Sequence, residues 1–365
     1  MPENLAQLWG SGVELAICEG CDWRYLLAKV GDGPGRLSHC PHCYQAVLTE
    51  LDGELEPLPS DQPPELVLPF AVSEADIKTR LQAFAADIPS APTDLNPATL
   101  LLRLQKLYLP RWLVDSRVQA LWQADLGFNY QVVSHQDHFD QNQNEWASQE
   151  VRETRIRWEP RVGRLRRSYQ NISAPAIEDE AEIRQRLGDY DLQPARPYQA
   201  DDLGDAMVRL PNRLPDDAWG EAESAFLAEA AQECRRAAAG DHIRQFRWSA
   251  QFEGRNWTQL LLPVYTTYYL DDDRQPQFVL LHGQSGRING LRRASMKRAK
   301  RTALKIATVA GAIFLLSGLI ALLGFWEDEF FTAAGIGILL STLVGLGALA
   351  PIVIAWSFNW GQAEG

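Results

Sequence analysis

Histidine and cysteine are scarce in this chain, and their scarcity closes off several chemistries before any motif is weighed. Six histidines occur in 365 residues and none follows His282. The apolar C-terminal region therefore has no imidazole to act as a base, which excludes an intramembrane serine protease. His135-Gln136-Asp137-His138 lacks the glutamate that zinc proteases place after the first histidine. Gly283-Gln284-Ser285-Gly286-Arg287-Ile288-Asn289-Gly290 is glycine-rich but lacks the Lys-Ser/Thr pair that reaches phosphate and magnesium. A phosphate-loop ATPase is excluded. Met1 to Gly10 has neither a basic segment nor an apolar run, so no secretory signal is expected.

Charge is missing from two long stretches near the C-terminus. Ala303 to Phe325 carries only Lys305, and Phe330 to Phe358 carries no charge. A helix of about 20 apolar residues crosses a bilayer core. Residues 303–325 and 330–356 are therefore expected as two transmembrane helices, joined by an acidic turn at Trp326-Glu327-Asp328-Glu329. Phe325, Trp326, Phe330 and Phe331 fall at one expected interface, and Trp356, Phe358 and Trp360 at the other. No ionisable group lies at membrane depth, which argues against a channel or pump. Small residues recur every four positions, Ala303, Ala307 and Gly311 in one helix and Gly337, Ser341 and Gly345 in the other. Such stripes allow close packing, within the hairpin or between copies.

Net charge is −12, but it is polarised. Eight Lys/Arg and no acid lie between Arg287 and Lys305; without them, 27 Lys/Arg face 47 Asp/Glu, a net of −20. Positive residues stay on the cytoplasmic side, so the body and the C-terminal tail are both expected in the cytoplasm. Arg292, Arg293, Lys297, Arg298, Lys300 and Arg301 are expected to meet anionic lipid headgroups, whereas the acidic body should be repelled by lipid and by DNA.

Four of the five cysteines form two C-x2-C pairs, Cys18/Cys21 and Cys40/Cys43. Two thiols three residues apart on a tight turn can point at one ion, and two such turns complete a tetrahedral four-thiolate zinc site. Between them Trp23 to Ala28 alternates like a strand, and Gly31-Asp32-Gly33-Pro34-Gly35 signals a turn. Cys18, Cys21, Cys40 and Cys43 are thus expected to hold one structural zinc in a zinc ribbon. Rubredoxin-like iron is the alternative, since spacing does not choose the metal. A reducing cytosol disfavours disulfides. His39 and His42 are expected to face solvent, and the lone Cys234 to be a small buried hydrophobe on a helix.

The expected fold is multi-domain: zinc ribbon at 1–47, linker at 48–72, helical segment at 73–108, cytoplasmic α+β domain at 109–286, basic juxtamembrane segment at 287–302, then the two-helix transmembrane hairpin. The linker follows from Gln45 to Val72, which has six acids, five prolines and no basic residue. Ser73 is placed to open a helix to about Ala86, and Asn96-Pro97 to cap another running to Tyr108. Strands are expected at 127–134, 151–158, 164–172, 244–253, 256–270 and 277–283, with a helix from Asp216 to Ala239 capped by Asp216 or Asp217 and stopped by Gly240. Leu109-Pro110-Arg111-Trp112 and Leu262-Pro263-Val264-Tyr265 resemble each other weakly, by duplication or by shared strand-entry chemistry. Seven arginines lie between Arg152 and Arg167; they form either a solvated strand face paired with acids or a phosphate-binding surface.

Several features occur in one order: the two knuckles, Leu68-Pro69-Phe70, Tyr108-Leu109-Pro110-Arg111-Trp112, Leu261-Leu262-Pro263-Val264-Tyr265 and the His282 to Gly290 segment. In this the chain resembles bacterial membrane-anchored proteins with an N-terminal zinc ribbon of the transcription-factor-IIB type. That family usually reads YxPxW, LPVW and NGQTGKVxG at the last three places. Here His282 replaces the Asn, and no Gly follows Cys21 or Cys43. Members are sometimes labelled primosomal helicases, and some resemble partners of phage-shock-type membrane-stress proteins. The resemblance implies a membrane adaptor.

The chain is accordingly expected to be a non-enzymatic membrane-anchored scaffold presenting a cytoplasmic surface to a protein partner, with oligomerisation open. A membrane-tethered nucleic-acid-binding protein and an enzyme with an unrecognised site are the alternatives from other classes. The topology is directly testable. A cysteine introduced at Asp328 should react with an impermeant thiol reagent on intact cells, and one at Gln362 only after lysis; the opposite pattern would invert the orientation.

Overall fold

The computed structural model describes residues 8–9, 12–28, 39–50, 62–140, 145–323 and 328–363. In chain order its strands are β1 (Val13–Cys18), β2 (Arg24–Ala28), β3 (Leu48–Glu50), β4 (Leu66–Val67), β5 (Gln105–Asp140), β6 (Glu145–Pro175), β7 (Arg196–Pro197), β8 (Met207–Arg209), β9 (His242–Leu270), β10 (Pro276–His282) and β11 (Ile288–Gly290). The helices are α1 (Glu74–Ala85), α2 (Pro97–Leu102), α3 (Glu180–Leu187), α4 (Trp219–Ala237), α5 (Met296–Leu323), α6 (Asp328–Gly347) and α7 (Ala350–Ala363). All strands join one mixed sheet, ordered β11-β10-β9-β5-β8-β2-β1-β3, with β6 also on β5 and β4 on β9 and β7.

The spine of the sheet is the antiparallel pair β5–β9, and it forms where both strands carry an uninterrupted two-residue alternation. Trp112, Val114, Val118, Ala120 and Trp122 take one face of β5, and Phe246, Trp248, Ala250 and Phe252 the same face of β9. The separately expected strands 127–134, 151–158 and 164–172 are parts of one hairpin, β5–β6, whose 36-residue first strand spans about 120 Å if straight. Beyond the pair Gly127↔His242, β9 ends and β5 and β6 continue as two strands alone. This three-stranded assembly is a projecting arm.

One face of the arm is covered by α4. Ala222, Phe226, Ala230 and Cys234 recur every four residues and are buried on it. The small ones let the helix approach, and Phe226 fills the space between Tyr169 and Phe252, with ring centroids 5.8 and 5.3 Å away. Cys234 is a buried hydrophobe, as expected. The helix starts at Trp219 behind Ala218; Asp217 instead accepts from Leu214 N at 3.3 Å, so neither aspartate supplies the cap.

The two Leu-Pro segments prove to be neighbours. Tyr108 pairs with Pro263, Leu109 with Leu262 and Pro110 with Leu261. Proline removes a ladder donor and is normally kept out of central strands. Here each sits where its strand changes outer neighbour. β5 runs parallel to β8 at 107–108 and then meets β6 from Arg111; β9 runs parallel to β4 at 260–261 and then meets β10 from Val264. The missing N–H groups fall in the gaps, and the two halves share a pseudo-two-fold arrangement.

Three boundaries differ from expectation. The helix opened by Asn96 ends at Leu102, because Gln105 to Tyr108 already belongs to β5. Both ends of the expected 48–72 linker are in the sheet: β3 pairs with β1, and β4 lies parallel to β9 with Val67 and Leu68 fully buried. Residues 51–61 lie outside the described set. The expected helix from Ser73 is α1, with Asp76 N donating to Ser73 Oγ at 3.2 Å.

Two helical stretches, Met296–Leu322 and Thr332–Gln362, are long and apolar enough to cross a membrane, and most of their side chains are exposed. Their lengths exceed the expected 303–325 and 330–356, and the second is broken at Ala348-Leu349, just before Pro351. The buried positions follow a seven-residue period: Ala303, Ala310 and Ser317 in α5, Ala334, Ser341, Ala348 and Ala355 across α6 and α7. Ala307 and Gly311 are exposed, so in α5 the seam follows the heptad and not the expected four-residue stripe, whereas in α6 the expected stripe Gly337, Ser341 and Gly345 does lie in the seam. A Cβ at Gly337 would strike Ser317, and one at Gly345 would touch Ala310, so the stretches pack antiparallel on each other. Near the body Ala299, Ala355 and Phe358 join Tyr265, Tyr269 and Val279 in one core. Asn359 Oδ1 accepts from Ala294 N at 2.7 Å.

The turn after β10 explains its glycines and its unusual histidine. A Cβ at Gly283 would collide with the Pro263 carbonyl, and Gly286 has φ 69°. His282 Nδ1 accepts from Gln284 N and Ser285 N, each at 3.1 Å, while its ring stacks on Tyr190 at 3.7 Å. This is the acceptor role that an Asn Oδ1 would fill. Burial lowers the His282 pKa from its ordinary 6.5. The unfolded chain therefore takes up the proton first, so stability should be full above about pH 6.5 and fall as the pH drops below it. His282→Asn should flatten that dependence, keep both N–H bonds, and lose about 1 kcal/mol of stacking. Melting temperature of the full chain against pH provides the check.

Candidate metal centre

The four cysteine sulfurs lie within 4.8 Å of one another and none is in a disulfide. Cys18 Sγ is 3.5 Å from Cys43 Sγ, and Cys21 Sγ 3.6 Å from Cys40 Sγ. Thiolates about 2.3 Å from one tetrahedral ion lie about 3.8 Å apart, so the set fits a single metal ion.

Two similar turns build it. Asp22 N donates to Cys18 O at 2.8 Å and Tyr44 N to Cys40 O at 2.9 Å. Asp22 and Tyr44 have φ 57° and 53°, the left-handed conformation that glycine takes at least cost. These are the two positions where the resembled family has Gly. Aspartate tolerates that conformation; Tyr44 is held in it by burial against Tyr268 and Phe278. Gly20 is needed for space, since its Cβ would sit 3.3 Å from Ala46 and 3.7 Å from two of the sulfurs.

Cys18 and Cys40 are fully buried, Cys21 and Cys43 partly. Burial raises the Cys18 and Cys21 thiols; at Cys43 burial acts the same way but N–H donation from Ala46 and Gln45 outweighs it. A bound dication favours the thiolate at every one of them. Tyr25 Oη lies 3.5 Å and His42 N 3.4 Å from Cys40 Sγ, both suited to donate to a thiolate. Four thiolates would fill a tetrahedral shell around one ion and leave no position open for substrate.

The centre is fused to the body rather than strung from it. β2 pairs with β8 through Tyr25↔Arg209 and Leu26↔Val208. Arg209, 2% exposed, stacks over Trp23 and holds Asp179 by Nη1 to Oδ2 at 2.9 Å. Burial lowers its pKa and Asp179 opposes that shift. Four thiolates on a dication would carry two net negative charges, and the guanidinium, shared with Asp179, lies close enough to Cys21 to be stabilised by such charge. The sequence hint was an arginine closing the apolar run Met207-Val208. A second buried pair was equally unflagged: Arg111 Nε donates to Glu180 Oε1 at 2.5 Å, clamping α3 to the sheet. His42 is exposed and stacks on Trp23 at 4.6 Å, and His39 is exposed, so neither displaces a cysteine.

The other singled-out residues are partly occupied. Arg292 and Arg298 donate to the carbonyls of Ala86 and Ala91, Arg293 lies 3.6 Å from Asp271, and Lys297 binds Asp272 and Asp273. Among the described residues Lys300 and Arg301 alone of these six cations have no such partner. His135 sits on β5, and the side chain of His138 lies outside the described set.

One metal ion per chain is expected by metal analysis of the purified protein, falling at least about tenfold in a Cys18→Ser, Cys40→Ser double variant. Full stoichiometry in that variant would reject these ligands. No family model, curated protein or solved structure matches this chain.

Proposed function

We propose that the chain is a non-enzymatic scaffold, anchored in the inner membrane by its C-terminal hairpin, whose arm presents a binding surface to a protein partner in the cytosol. The observation that carries this is the arm itself. A 31-residue β6 bonds to β5 alone and leaves its outer edge and one sheet face open to solvent among the described residues.

The perturbed ionisable groups support the same conclusion. The shifted cysteines belong to the metal centre, and the shifted tyrosines are explained by burial in the core. The one cavity described, about 100 Å³, lies between the centre and α3 and holds the paired Arg209 and Asp179. In this proposal the ion is zinc, because four thiolates suit it and the site has only a bracing role. The eight basic residues from Arg287 to Lys305 favour cytoplasmic placement of the body. The resemblance to membrane-anchored ribbon proteins fits an adaptor in membrane-stress assemblies.

Photo-crosslinking residues placed at Gln123 and Thr154 on the arm should each trap one protein species in intact cells, and one placed at Asp201 on the body should not. All three positions are exposed. Equal trapping at all three, or none from the arm, would reject the scaffold.

A further inference from the structure

The seven arginines of β6 divide into two groups once their partners are known. Arg152 lies 3.1 Å from Glu150, Arg155 3.1 Å from Glu153, Arg157 2.9 Å and Arg161 2.6 Å from Glu159, and Arg167 binds Glu233 of α4. Arg164 and Arg166 have no ion-pair or hydrogen-bond partner among the described residues.

Register places these two on a shared surface. Arg164 is opposite Leu121 and Arg166 opposite Gln119; on the other side of β5, Leu121 is opposite Ser249 and Gln123 opposite Arg247. Alternation sends all of them to the face away from α4. Arg247 also has no carboxylate partner among the described residues, and at the inner end Arg117 reaches Glu253 only at 3.9 Å. Between the cations, Leu121 is 60% and Val162 80% exposed. The result is a patch with guanidinium groups unpaired among the described residues around two bare aliphatic side chains, on a chain whose net charge is −12.

We propose that this face docks an acidic segment of another protein, one that carries carboxylates and aliphatic side chains on the same side. The proposal rests on the scaffold function above and names its partner's chemistry. Charge complementarity selects the carboxylates, and Leu121 and Val162 select the aliphatic groups. A phosphodiester backbone would leave both aliphatic side chains uncovered, and the acidic remainder of the chain would repel it. About 75 Å of extended strand separates Arg247 from Leu270, next to Asp272 that binds the start of α5. The patch therefore lies far along the arm from the membrane helices.

The test uses the full chain in nanodiscs of zwitterionic lipid and fluorescence anisotropy. The probes are a peptide of about twelve alternating Glu and Leu, its Lys-Leu counterpart, and a single-stranded DNA of equal charge. Wild type should bind Glu-Leu at least about tenfold more tightly than Lys-Leu, and the triple variant Arg164→Glu, Arg166→Glu, Arg247→Glu should reverse that preference. Leu121→Ser with Val162→Ser should weaken Glu-Leu binding about threefold or more without changing the preference. Unchanged metal stoichiometry confirms that each variant is folded.

A preference that survives charge reversal overturns the proposal. So does tighter binding of the DNA, which would assign the face to nucleic acid, or patch-dependent dimers in light scattering, which would assign it to a second copy. Binding that appears only in discs containing anionic lipid would assign it to the bilayer and overturns it equally. Arm cross-links that persist in the triple variant would leave the scaffold standing and remove this face; absence of any arm cross-link would remove the scaffold itself.

Discussion

The antiparallel contact of Tyr108-Leu109-Pro110 with Leu261-Leu262-Pro263 is the constraint from which the other elements take their places. Each proline ends one outer pairing and starts another, so the β5–β9 spine serves two different neighbours along its length. Toward one end it accepts β8 and, through it, the cysteine-bearing strands; toward the other it becomes the arm. Gly283 and Tyr190 bind the carbonyl of Pro263, Gly283 N at 2.9 Å and Tyr190 Oη at 2.9 Å, which ties the turn before the two long apolar helices to the same point. Substituting an ordinary residue at either proline would restore an N–H with no acceptor opposite it, an uncompensated cost where the strand is buried.

The metal centre gains meaning from that arrangement. A short ribbon usually depends on its ion for folding energy, because it has little apolar area of its own to bury. Here Tyr25, Leu26 and Leu48 are fully buried, in cores shared with Tyr108, Leu109 and Val264. The cysteine-bearing strands therefore draw on the body's core and do not depend on a bound ion alone. In return, Arg209 and Asp179 bridge the centre to α3, and Arg111 with Glu180 bridges α3 to the spine. Two buried ion pairs in series set the angle of one small helix. Each is costly to break, since it would strand a buried charge.

Much of this was legible in the sequence where local chemistry decides. The C-x2-C spacing located the four ligands, Ser73 and Asn96 located two helix starts through their own side chains, and the uncharged runs located the membrane-length helices. Longer-range features were not legible. The length of β5 was hidden because Pro110 lies within it; the register shifts opposite Asp115 and Ala124 put their extra residue on β9, so β5 itself keeps its two-residue period. The acidic, proline-rich composition of 48–72 concealed β3 and β4, whose few residues are held by sheet neighbours distant in sequence. Glu180 gave no signal, and Arg209 only its place after an apolar run, because burial of a charge is set by its tertiary partner.

The arm poses a problem of solubility that its charges answer. β6 is an open edge 31 residues long, the kind of feature on which another chain can add a strand. Exposed ion pairs such as Arg155 with Glu153 contribute only about 0–1 kcal/mol each, too little to explain four of them as stabilisers of the fold. Their alternation, with Pro160 among them, instead makes β6 a poor template for foreign strands, since an incoming strand would have to match both signs in register. The same economy makes the unpaired cations informative. Among the described residues the chain supplies glutamates for its arginines along the tip and at α4, yet leaves Arg164, Arg166 and Arg247 without a carboxylate partner on the one arm face where Leu121 and Val162 are also bare. Neither fold stability nor edge protection requires that combination, whereas recognition of an acidic, partly apolar surface requires both halves of it.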